Sequence, residues 1–128
     1  MAILPTVTIG TREFTLPILT IYRLENCWGA IQSLGTADNM IAQVNCLLRI
    51  VTCSLEDSPE QIVSECRSLN PNDDEKMRQC IVDRFKREML PSQFGGIDRG
   101  VATLLRISGL GGEPGNAQPG ELTPPEAK

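Results

Sequence analysis

The sequence predicts a mainly α fold of the α+β class: an N-terminal β-hairpin, then about five short amphipathic helices, then a disordered C-terminal tail. Three observations predict it. Residues 5–19 alternate apolar and polar side chains with a period of two. Residues 21–108 carry apolar side chains at three- and four-residue steps, in blocks bounded by caps and breakers. After Gly111 the composition changes to glycine, proline and polar residues. With 128 residues in all, this divides the chain into a helical domain with its hairpin, 1–110, and a tail, 111–128.

In the hairpin, Val7 and Ile9 alternate with Thr6 and Thr8, and Phe14 and Leu16 with Glu13 and Thr15. The connection is Gly10-Thr11-Arg12, with a glycine free to take positive φ. Pro17 ends the second strand because it has no amide hydrogen to add to a ladder. An isolated hairpin is marginal in water, so its apolar face has to pack on the helices.

Thr20 caps a first helix over 21–34, whose stripe is Ile21, Leu24, Trp28, Ile31 and Leu34, with Gly35 as its C-terminal cap. A second helix follows Asp38. Its broad stripe of Met40, Ile41, Val44, Leu47, Leu48 and Val51 makes it the core helix. Ser58-Pro59-Glu60-Gln61 reads as a helix start, with serine capping and proline in the first turn, before a buried face of Ile62, Val63, Cys66 and Leu69. Asn72-Asp73-Asp74-Glu75 reads as a second capping box, and Met77, Cys80, Ile81, Phe85 and Met89 continue that stripe until Pro91. Gly95-Gly96 marks a flexible joint, and a last helix runs from about Ile97 to Ser108, capped by Gly109. Residues 111–128 hold four prolines and four glycines, with Leu122 as their one large apolar side chain. They bury too little to offset the entropy of ordering.

Composition excludes several functions. The chain has no histidine, which removes imidazole general bases, Ser-His and Cys-His nucleophile pairs, and zinc sites that need imidazole. Net charge is −4, and the densest basic stretch, Lys76 to Arg87, is interleaved with Asp83 and flanked by Glu75 and Glu88. It reads as a solvated helix face and not as a nucleic-acid site. No apolar run approaches the roughly 20 residues of a membrane span, and the N-terminus lacks the basic region of a secretory signal. The five cysteines form no CxxC and no metal spacing, and read as buried, reduced thiols on apolar stripes in a cytoplasmic protein.

No catalytic, cofactor-binding or metal-binding residue emerges. Glu56-Asp57 and Asp73-Asp74-Glu75 sit where helices start, which accounts for them without a cation. Cys53 has no base beside it in the sequence. The glycines at 109–112 follow a helix, whereas a phosphate loop opens one. Lys76, Arg78, Arg84, Lys86, Arg87, Arg99 and Arg106 give the C-terminal half a set of long basic side chains, and of these Arg84 and Arg87 are candidates for meeting an acidic helix. Tyr22 and Trp28 are amphipathic anchors of the kind interfaces favour. Trp28 also lies on the first helix's stripe, which favours the core for it.

The order of these pieces resembles the tail assembly chaperones of long-tailed bacteriophages and related prophages. The resemblance is carried by the hairpin segment TVTIGTREFTLP with Ile9-Gly10, Phe14 and Leu16-Pro17, by Leu19-Thr20 ahead of the first helix, and by a last helix ending Ser108-Gly109-Leu110 before a polar tail. The five cysteines and the polar insert Ser68 to Glu75 depart from the usual pattern. The resemblance implies a non-enzymatic protein of the host cytoplasm. Its partners would be the tape-measure protein, which it keeps soluble, and the tail-tube protein, which polymerises around that protein. The alternative is a small virion structural protein of the tail or the head–tail connector.

Overall fold

The computed structural model describes residues 4–110, so the tail expected over 111–128 lies outside the described residues. It is mainly helical with an N-terminal hairpin, as the periodicities predict. Strands β1 (Thr6–Ile9) and β2 (Arg12–Thr15) precede helices α1 (Ile21–Leu34), α2 (Met40–Leu55), α3 (Gln61–Leu69), α4 (Asp74–Glu88) and α5 (Phe94–Leu105).

The two strands pair antiparallel, with Val7 opposite Phe14 and Ile9 opposite Arg12. The connection is therefore the two residues Gly10-Thr11, and Arg12 belongs to β2. Gly10 takes φ +65°, and a Cβ there would lie 3.1 Å from Glu88 Cβ. Val7, Ile9, Phe14, Leu16 and Leu19 are all buried. The Phe14 ring meets Phe85 of α4 edge to face at 5.2 Å between centroids. Val7 lies on α5 at Gly100, where a Cβ would come within 2.5 Å of Val7 Cγ1. Gln93 fastens the turn: its Oε1 accepts from the Gly10 N–H and its Nε2 donates to the Gly10 carbonyl, both at 2.9 Å.

The core sits around the second half of α2, where Leu47, Leu48 and every residue from Ile50 to Leu55 are buried. A helix apolar on all sides has to be enclosed on all sides. Here α1, α4 and α5 pack against it. Three helix starts carry a side-chain cap, of which Thr20 is the one expected from the sequence. Thr20 Oγ1 accepts from the Arg23 N–H, Asn39 Oδ1 from the Ala42 N–H, and Asp73 Oδ1 from the Lys76 N–H.

Several expectations are corrected. The capping residue of α4 is Asp73, and Glu75 turns away from the helix end to an arginine. α3 begins at Gln61 without a side-chain cap, because Ser58 Oγ reaches only the Glu60 N–H, at 3.5 Å. Gly95 and Gly96 form no joint: both lie in the first turn of α5, which starts at Phe94 after a 3₁₀ turn over Pro91–Gln93. Burial of Ile97, Val101 and Leu104 outweighs the roughly 1 kcal/mol of helix propensity that each glycine forfeits. At the other end the expectation holds: α5 runs on from Leu105 into a wider helical turn over Arg106–Leu110, and Gly109 at φ +97° breaks it just after Ser108. The apolar stripes are also narrower than the periodicity implies. Ile21, Trp28, Met40, Ile41 and Leu69 are exposed.

Candidate functional site

The outer face of α1 is the largest departure from the expected core. This helix packs chiefly against α2 and buries only Cys27 completely. Leu24, Ala30, Ile31 and Leu34 rest partly buried against the core. On the other side, Ile21 is 74%, Tyr22 55% and Trp28 44% exposed. Ile21 and Trp28 are seven residues apart and share one stripe, whereas Tyr22 stands about 100° round the helix from Ile21, with its side chain in reach of Arg78 of α4. Trp28 is thus not a core residue: α1 has too few neighbours to enclose both of its sides.

Arg84 and Arg87 lie elsewhere. They line a groove of about 440 Å³ along α3 and α4, together with Leu69, Lys76, Cys80 and Asp83. Arg84 is paired with Glu65 of α3, which holds that carboxyl below its usual range. Arg87 takes part in none of the ion pairs among the described residues. Tyr22 and Trp28 are not among the walls of this groove, so the four candidate residues do not form one surface. A third surface, missed in the sequence, is a small apolar groove of about 140 Å³ between the start of α2 and the end of α4. Met40, Ile41, Val44, Met89, Leu90 and Pro91 line it.

The acidic clusters are absorbed by arginines. Glu56 does not start a helix; it caps the C-terminal end of α2, is buried, and accepts two hydrogen bonds from Arg78 at 2.8 and 2.9 Å. Arg78 is therefore an interior residue and no part of a basic surface, and the hydrogen bonds to Glu56 push its pKa up. Asp57 pairs with Arg23, whose guanidinium also donates to the Cys53 and Ser54 carbonyls at 3.0 and 3.3 Å. Arg49 donates to Glu75 at 2.7 and 2.8 Å and to the Asn26 carbonyl of α1 at 2.8 Å. Its hydrogen bonds hold the Glu75 carboxyl below the usual range. Three arginines thus seal the flank and end of the core helix. Each of these pairs spans more than twenty residues, and no local spacing announces such a pair. Among the described residues no group of three or more acids and cysteines is arranged to hold a metal ion.

The five cysteines are all reduced. Cys27 of α1 and Cys53 of α2 share a hydrogen bond in the interior, and this bond together with burial pushes the Cys27 thiol up. Cys53 is fully buried, out of reach of any substrate. Cys66 of α3 and Cys80 of α4 form a second facing pair, and burial pushes the Cys66 thiol up to about 12. Cys46 and Cys80 are only partly buried, so the expectation of five buried thiols holds for three.

No helix among the described residues is long and apolar enough to cross a membrane. No protein-family model, curated protein or solved structure matches the chain.

Proposed function

We propose that this chain is a non-enzymatic assembly chaperone for phage tail proteins. In this reading it holds an apolar stripe of the helical tape-measure protein against the outer face of α1. It keeps that protein soluble in the host cytoplasm until tail-tube subunits polymerise around it. The observation that carries the reading is the uncovered pair of Ile21 and Trp28, one stripe of a helix with one principal packing partner, with the exposed Tyr22 on a neighbouring flank. Aromatic anchors on a rigid helix face are a common way to seat an amphipathic helix, because they desolvate a large area at little cost in side-chain entropy. Arg87 and Lys76 in the α3–α4 groove are placed to receive acidic residues of the same partner or of the tail-tube protein. The chemistry of the chain is compatible with it, since there is no histidine and the one buried acid among the described residues, Glu56, is neutralised by Arg78.

The test is co-expression with the long helical tail protein encoded nearby, followed by affinity pull-down and a solubility assay. The expected result is that the long protein becomes soluble and co-purifies only when this chain is present. Trp28→Ala should then weaken binding by at least about thirtyfold, the loss of an interface hot spot. If the two proteins never associate, and this chain is instead found in purified particles, the chaperone reading fails and a tail or connector subunit takes its place.

A further inference from the structure

We infer that Cys80 and Cys66 form an oxidative modification site, in which Cys80 reacts with a hydroperoxide from the α3–α4 groove and is resolved by Cys66 as an intramolecular disulfide. Ion pairs fix the register of the two antiparallel helices. Glu65 pairs with Arg84 on one side of the cysteines, and Arg67 approaches Asp74 at 4.0 Å on the other. Between those two links, Cys66 on α3 faces Cys80 on α4, and their side chains lie close enough to hydrogen-bond. The two thiols differ in access. Cys66 is fully buried, whereas Cys80 is only partly buried and forms part of the groove wall, next to Lys76 and Arg84.

The asymmetry assigns the order of events. Burial keeps the Cys66 thiol protonated, so it does not react first. The Cys80 thiolate attacks one peroxide oxygen, breaks the O–O bond, and becomes a sulfenic acid as the other oxygen leaves as an alcohol or water. The Cys66 sulfur then displaces the sulfenic hydroxyl, which departs as water with the Cys66 proton, and the S–S bond forms. Two thiols have together lost two electrons and the peroxide has gained them. The product ties α3 to α4 across the polar segment between them and replaces a thiol in the groove wall. The buried pair Cys27–Cys53 is a built-in control: it has the same chemistry and no opening to solvent.

The experiment treats the full chain in its native state with hydrogen peroxide, then alkylates it and maps peptides by mass spectrometry without reduction. The expected outcome is a Cys66–Cys80 linked peptide and three remaining alkylated cysteines, with Cys27 and Cys53 among them. Cys66→Ser should remove the link and leave a sulfenic acid at Cys80 that dimedone captures. Cys80→Ser should abolish both products. The oxidised wild type should also melt at a higher temperature than the reduced protein. Linkage of Cys27 to Cys53 ahead of Cys66 to Cys80 would overturn the inference. So would five free thiols after treatment, or a Cys66–Cys80 link that appears only in denaturant.

Discussion

Replacing Gly100 by alanine sets two known effects against each other at one atom. In the interior of an exposed helix the change is favourable by about 0.8–1.0 kcal/mol, because alanine loses less backbone entropy. At this position the new methyl would stand 2.5 Å from Val7 Cγ1 and 3.3 Å from the Thr6 carbonyl oxygen. Carbon pairs rest at about 3.5–4.0 Å, so β1 has to move by roughly 1 Å or more. Valine has little rotameric freedom with which to yield. Overpacking of this kind costs about 1–3 kcal/mol, which leaves Gly100→Ala destabilising by about 1 kcal/mol net. That corresponds to a drop of roughly 4–8 °C in Tm for a domain of this size. The sign should reverse once the obstacle is removed. Val7→Ala alone costs about 1.6 kcal/mol in lost burial, and Gly100→Ala added to it should then stabilise by up to about 1 kcal/mol. Urea unfolding of the four proteins, followed by circular dichroism at the helix band, measures the coupling, expected near 2 kcal/mol. A Gly100→Ala single variant more stable than wild type would refute the reasoning, because it would mean that β1 does not press on α5 at this residue.

Glu56→Gln should destabilise by about 3 kcal/mol in denaturant titration, since it removes the buried counter-charge of Arg78 and leaves only the 3.5 Å contact to the exposed Glu75. The pair Glu56→Leu with Arg78→Met should cost far less, and an equal loss in both proteins would count against a buried ion pair. Thr52 is buried with a hydroxyl that has no hydrogen-bond partner, so Thr52→Val should raise stability by about 1 kcal/mol; a loss of that size would show that the hydroxyl is satisfied. Glu75 carries a carboxyl depressed by Arg49 from its ordinary value of 4.5, so its stabilising contribution is complete above that pH and is lost as pH falls through the lower folded value. Stability measured from pH 6 down to pH 3 should therefore fall less steeply in Glu75→Gln than in wild type, and parallel curves would exclude the Arg49 pairing.

What was legible in the sequence is what depends on near neighbours along the chain. The alternation around Val7 and Phe14, the cap at Thr20, and the stops at Gly35 and Pro91 are interactions within a few residues, and each element appears where they place it. Gly95-Gly96 misled because a local propensity of about 1 kcal/mol per glycine was overridden by the tertiary burial of Ile97 and Val101. The outward position of Trp28 was hidden for a related reason. A stripe of apolar residues says that a helix has a side worth covering, and the number of neighbours available to cover it is a property of the whole fold. The roles of Arg23, Arg49 and Arg78 were illegible on the same ground: their partners lie 34, 26 and 22 residues away.

The attachments of the hairpin also set a timetable for synthesis. The strands at residues 6–15 are made before any of the five helices, yet they are sheltered by Phe85, Gln93 and Gly100. The Leu19 N–H is satisfied by Ser108 Oγ at 3.0 Å, near the end of the described chain. At about 5–20 residues per second, the ribosome needs roughly 4–18 s after finishing the hairpin to supply those partners. Throughout that interval Val7, Ile9 and Phe14 have no core to enter, and a two-stranded ribbon does not hold together by itself. The α1–α2 and α3–α4 pairs can close as they emerge. The hairpin, translated ahead of the helices, is thus the last to find its place, and it cannot dock until almost all of the helical domain has been made.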